Sequence, residues 1–216
     1  VTGFTARWIA LVALGEAAGF AVAAAVGAGL AASAAPPAVA LPVAVAAGAV
    51  EGTAYAGGQY LAMRSQRPPR GPWLLAGGLG AAVAWLLGML PSTIGVDPEN
   101  PGTWVAVGLG ALLLLAAIPV AQWIVLRRNG RRAASWIPVS MGAWAVAVLW
   151  TAAPSPLIDE SSPLALVVAL YVVAGVLMAL TVAALTAPLA RRLFGGQAAS
   201  TTASLTPRRS SGTAGR

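Results

Sequence analysis

Two glutamates, Glu16 and Glu51, stand inside long apolar stretches, far along the chain from any other charged residue. A carboxyl group in hydrocarbon is costly, so such a residue is a candidate for proton carriage, cation binding or ligand recognition. Their depths agree. Glu16 lies eight residues beyond Trp8 and Glu51 nine before Tyr60, which places each about 12–13 Å from the same face at about 1.5 Å per residue. A short turn through Pro36-Pro37 joins the two stretches as antiparallel neighbours, so the carboxyls can meet. Two bare carboxylates cannot share a dry site, and the pair is expected to hold a shared proton or a bound cation. Tyr55, one helical turn from Glu51, is placed to offer it a hydroxyl. Gln59 and Gln122 each precede a border arginine by five positions. They are candidates for bridging helices near that face or for touching a ligand. The alternative for both acids is structural: neutral carboxyls that hydrogen-bond one helix to another.

Other chemistries are excluded by composition. The chain has no cysteine and no histidine. Within it there can be no disulfide, zinc site, thiolate nucleophile, imidazole acid–base pair or haem ligated by those residues. Gly77-Gly78-x-Gly80 lies inside an apolar run and follows no strand, so it is not a dinucleotide loop. Phosphate-binding loops, nucleophile elbows and metal-binding clusters are absent as sequence patterns. No catalytic residue, metal or cofactor is assigned.

The elements that must position the glutamates follow from hydropathy. The chain is 58% hydrophobic and 9% charged, against about one quarter charged in soluble domains. Lipid must be the solvent for most of its surface. A crossing helix needs about 20 apolar residues, and six runs qualify: Trp8–Ala32, Ala38–Met63, Pro72–Leu90, Thr103–Leu126, Ala133–Ala153 and Pro163–Ala190. Runs this long point to an all-α, polytopic membrane protein, since a barrel would alternate in short segments. Gly15-x3-Gly19-x3-Ala23-x3-Gly27 and Gly48-x3-Gly52-x3-Ala56 form ladders of small residues that let helices approach closely.

All thirteen basic residues are arginines, and all fall on alternate connections or at the termini. Asp97, Glu99, Asp159 and Glu160 occupy the other connections. Positive charge is retained inside, so both termini are expected in the cytoplasm. The formal charge of +7 is thereby read as topology, with no nucleic acid as partner. Arginine without lysine, with heavy use of Ala, Gly and Pro, suggests a high-GC bacterial genome and hence a bacterial cytoplasmic (inner) membrane. Trp8, Trp73, Trp123 and Trp136 fall at the basic ends of their runs, and Trp104 and Trp150 at the acidic ends, as interfacial belts would. Ala32-Ser33-Ala34 resembles a signal-peptide cleavage site, but the run before it is too long and carries Glu16, so it is expected to stay. Residues 195–216, rich in Gly, Ser, Thr and Ala, are expected to be a disordered cytoplasmic tail.

The chain also matches itself. Gln59–Ser92 aligns on Gln122–Ser155 without a gap, pairing Gln59 with Gln122, Arg64 with Arg127, Trp73 with Trp136 and Pro91 with Pro154. More weakly, Trp8 matches Trp73, and Thr186-x4-Arg191 stands where Gln59-x4-Arg64 stands. The reading is three helical hairpins, at about residues 5–66, 67–129 and 130–194, around a pseudo-threefold axis along the membrane normal. The register sets Leu114 against Glu51 and Ala81 against Glu16, so both acids belong to one hairpin. Mitochondrial carriers share the three-hairpin plan, but their proline-acid-arginine signature is missing here: Pro119 is followed by Gln122.

Gly15-Glu16, Glu51-Gly52 running to Gln59, the segment from Ala84-Trp85 to Pro91-Ser92, and Gln122-Trp123 to Arg127-Arg128 resemble segments of uncharacterised six-helix membrane proteins of actinobacteria. The resemblance covers most of the chain except the tail, and it implies a fold without supplying an activity. Three functional readings stay open. One is a non-catalytic membrane subunit or binder of a small ligand or lipid. The second is a small proton-coupled transporter or channel. The third is an intramembrane enzyme on lipid-like substrates, with Glu16 and Glu51 as acid and base. The expected partners are the lipid bilayer and another membrane protein or a second copy of the chain.

Overall fold

A computed structural model of the protein describes residues 2–95, 97, 99–130, 133–159 and 161–196. They form α1 (Thr2–Ala32), α2 (Pro37–Ala62), α3 (Arg70–Ile94), α4 (Pro101–Arg128), α5 (Trp136–Ala147), the short α6 (Leu149–Ala152), a 3-10 turn (Ser155–Leu157) and α7 (Leu164–Phe194). There is no strand among the described residues. Six helical segments are long and apolar enough to cross a membrane, the fifth comprising α5, α6 and the turn after them. The chain is a multi-pass membrane protein. Most of the expected tail, together with Arg131, Arg132 and Glu160 of the connections, lies outside the described residues.

Local signals account for the helix ends. Pro37 and Pro101 open α2 and α4, where a missing N–H costs nothing because the first-turn donors have no helical acceptor. Asn100 caps α4 by accepting from the Gly102 N–H at 2.9 Å. Gly95 takes φ +73° immediately after α3, a conformation open to a residue without Cβ. At the start of α7, the Asp159 carboxylate accepts from the Ser161 amide at 2.9 Å and from the Ser161 and Ser162 hydroxyls. The Ser161 hydroxyl, then that of Ser162, hold this exposed carboxyl below its usual range.

The six spans run alternately up and down as a closed ring in which α1 touches both α2 and α7. The start of α1, the α2–α3 connection and the end of α7 meet at one end: Arg7 bonds the Leu61 carbonyl, and the Arg64 and Ser65 amides bond the Phe194 carbonyl. Glycines set the spacing. A Cβ on Gly15 would fall 2.6 Å from the Ala54 carbonyl oxygen, and one on Gly19 would fall 2.7 Å from Glu51 Cα. Backbone therefore lies on backbone between α1 and α2 at the depth of the glutamates. A Cβ on Gly77 would likewise fall 2.5 Å from the Gly52 carbonyl oxygen of α2, and one on Gly80 would fall 2.7 Å from Ile118 Cα of α4.

Packing is uneven along the length of the bundle. The buried residues of α4, Pro119, Gln122, Val125 and Leu126, all lie toward its arginine end. Its other half exposes Trp104, Val105, Leu109, Leu112 and Leu113, and the contact of α4 with α5 is the slightest between neighbours in the ring. Pro119 sits at the junction of the two halves and cannot donate to the Leu115 carbonyl.

The aromatic belt read from the sequence is corrected here. Trp8, Trp73 and Trp136 are completely buried. They surround Phe194, with ring centroids at 6.1, 6.2 and 6.0 Å from it respectively. These indoles form the bundle's core at its basic end. Position along a helix gave their depth correctly but not the direction in which they face. Trp104 and Trp150, at the acidic ends, are exposed as a belt requires.

Candidate functional site: a carboxyl pair at the bottom of an apolar cup

Close approach of α1 and α2 brings the two acids together. Glu16 is 1% exposed and Glu51 8%, and their carboxyl groups lie within hydrogen-bonding reach of each other. The second partner of Glu51 comes from α3: the Trp85 indole N–H donates to Glu51 Oε2 at 2.9 Å. Gly48 makes room for that indole, because a Cβ there would overlap the Trp85 ring. Glu16 Oε1 is buried and has no hydrogen-bond partner.

The pair forms the bottom of a cavity of about 360 Å³. Phe20, Trp85 and Trp144 give it aromatic walls, and Leu114, Leu115 and Ile118 of α4 give it an aliphatic one. On α3 the lining continues from Trp85 to Gly88 and Met89, and on the fifth span from Trp144 through Val148 to Thr151. Both series lead away from the arginine end. The cavity is a cup set in the loosely packed half of the bundle, where the outer part of α4 stands off from α5.

Below the carboxyls the bundle is filled. Tyr55, 1% exposed, packs edge-on against Trp144 at 5.4 Å. Its hydroxyl turns toward Trp144 and Gln59 and not to Glu51 as its spacing suggested. Gln122 Nε2 donates to Gln59 Oε1 at 2.6 Å, and the Trp136 indole donates to Gln122 Oε1 at 3.0 Å. Beside this chain of bonds the Trp8 indole donates to Thr186 Oγ1 at 3.1 Å. The two glutamines thus join α2, α4 and α5 across the axis of the bundle, and the tryptophan cage around Phe194 closes the arginine end beneath them.

All five residues expected at the site are buried, but they form two layers. Glu16 and Glu51 face the cup. Gln59 and Gln122 bond to each other behind it, with Tyr55 between. Sequence reasoning missed Trp85 and Trp144, although a signal existed. Six of the eight tryptophans fall near the ends of spans and invite an interfacial reading; these two fall mid-span. Phe194 was missed because it lies beyond the apolar run.

No arginine reaches the pair among the described residues. Arg7 is nine residues from Glu16 on the same helix, about 13 Å along its axis. Arg67 bonds the Met63 carbonyl and lies over the Tyr60 ring, and Arg127 lies over Trp123. No group of three or more acids, histidines or cysteines is placed to hold a metal among the described residues. No family model, curated protein or solved structure matches the chain.

Proposed function

We propose that the protein is a non-catalytic membrane binding protein for a small amphiphilic molecule, received in the cup with its polar group at Glu16 and Glu51. The observation that carries this reading is the cup itself: apolar walls, one polar end, and filled protein beneath. Pockets of about 300–1,000 Å³ with apolar walls and few polar groups are typical small-molecule sites. The chain's lack of histidine and cysteine favours binding over catalysis. Its orientation follows from the arginines: the cage faces the cytoplasm and the cup faces outward, in a bacterial inner membrane.

The three-hairpin plan supports a site on the bundle axis. In the register of the repeat, Glu16, Ala81 and Trp144 are equivalent, as are Glu51, Leu114 and Met178. All six line the cup. Trp8, Trp73 and Trp136 are likewise equivalent, and all three contact Phe194. On this reading a pseudo-threefold scaffold surrounds the ligand, and one hairpin supplies the acids.

Proton-coupled transport is the second reading, favoured by the carboxyl pair. Against it, the buried polar side chains between the cup and the arginine end are amides, indoles and the hydroxyls of Tyr55, Ser140 and Thr186, and no further carboxyl among the described residues continues a path to that end.

The test is 19F NMR of the full chain labelled with 5-fluorotryptophan in nanodiscs, titrated with decanol and decylamine. The expected result is a saturable shift of the Trp85 and Trp144 resonances, each assigned by its Phe substitution, with Trp8, Trp73 and Trp136 unmoved. Gly88→Leu, which narrows the cup against Leu114, should weaken the response. Uniform, non-saturating drift of all resonances with both amphiphiles would mean that the cup is not a site.

A further inference from the structure

The cup also specifies the charge and hydrogen-bonding character of its occupant, an inference that rests on reading it as a binding site. Three observations bear on it. Two carboxyl groups face one another at the closed end. Glu16, almost completely buried, lines the space and has its Oε1 without a hydrogen-bond partner. Three aromatic rings, those of Phe20, Trp85 and Trp144, line the same space. A carboxyl pair holding one proton still carries one negative charge, and an unpaired charge out of water is strongly unfavourable. An unmet buried acceptor adds to that cost.

Each class of occupant can be weighed against these facts. A neutral lipid tail fills the walls but leaves the charge and the acceptor as they are. A bare alkali or alkaline-earth ion needs about six to eight oxygen ligands, and the walls are apolar apart from the two acids and Thr151. A quaternary ammonium balances the charge but has no N–H for Oε1. A protonated amine does both, and aromatic faces around it add cation–π attraction. Its apolar body then lies along Leu114, Leu115 and Ile118.

We propose that the cup binds a lipophilic amine in its protonated form, the N–H donating to Glu16 Oε1 and the positive charge neutralising the Glu16–Glu51 pair. The occupant is a monocation with an apolar body no larger than the cup, about 360 Å³.

The test uses the same full-length chain in nanodiscs and three probes that share one chain length: decylamine, decanol and decyltrimethylammonium. Kd values are read from the Trp85 and Trp144 resonances. Decylamine should bind at least tenfold more tightly than either of the others, and Glu16→Gln should remove most of that advantage. Equal affinity for decanol and decylamine would overturn the ammonium assignment while leaving the cup as a binding site. Equal affinity for decyltrimethylammonium would overturn the hydrogen bond to Glu16 and hence the choice of an amine. Saturation by none of the three would overturn both this proposal and the binding reading. Should Glu16→Gln fail to fold, the unsubstituted protein still decides the matter. Decylamine must then perturb the infrared carboxyl bands, decanol must not, and the same response to both would sink the proposal.

Discussion

At the scale of single residues, the decisive contact is between Trp85 and Glu51. The indole fixes one oxygen of Glu51, which leaves the pair asymmetric: Glu51 is held, and Glu16 keeps the free oxygen. Infrared spectra at neutral pH are expected to contain a protonated-carboxyl band that persists in Glu51→Gln, where Glu16 remains buried without a countercharge, and disappears only in the double variant Glu16→Gln/Glu51→Gln. In Trp85→Phe the band should persist but shift, because the group then loses a donor. Absence of the band in the unsubstituted protein would mean that the two acids do not share a proton. The acids themselves were legible in the sequence, since their type and equal depth needed no knowledge of neighbours. Trp85 was not. It lies 34 residues from Glu51, on a span whose rotation about its own axis the sequence does not give. A tryptophan in an apolar run looks the same whether it faces lipid or a carboxyl.

At the scale of elements, helices form because apolar runs of this length leave the backbone no other partners in lipid, and that much is written in composition. How tightly they pack depends on single missing methyl groups. Gly58→Ala would press a Cβ into the Leu11 carbonyl between α1 and α2, and Gly52→Ala would do the same against Ala81 and Gly77 between α2 and α3. Each is expected to cost about 1–3 kcal/mol, typical of overpacking. Gly29→Ala and Gly110→Ala meet nothing within 4 Å and should be neutral. Thermal inactivation in a mild detergent checks the contrast, and equal loss in all four variants would contradict the observed helix contacts. Of the small-residue ladders, Gly15 and Gly19 of α1 do meet α2, whereas Gly48, Gly52 and Ala56 of α2 pack on α3 instead. The standing-off of the outer half of α4 was not anticipated, because a helix apolar on every face carries no stripe to say which side is covered.

At the scale of the whole molecule, charge organises the two ends. Reporter fusions at Arg67 and Gly130 should read cytoplasmic, and those at Glu99 and Asp159 external; a cytoplasmic signal at Glu99 would reverse the orientation proposed for the cup. The ring of helices has one further consequence, for biosynthesis. Trp8 donates its hydrogen bond to Thr186, 178 residues later, and shares its cage with Phe194 at the end of α7. The indoles of Trp8, Trp73 and Trp136 enter the membrane before the ring that fits between them has been synthesised. Until α7 is inserted, a nascent bundle must leave that cluster uncovered, whatever the helices already present have done. Insertion of α7 and closure of the arginine-end core are therefore one event, and a ribosome stalled anywhere before α7 releases a product whose aromatic interior is open to chaperones and proteases of the membrane.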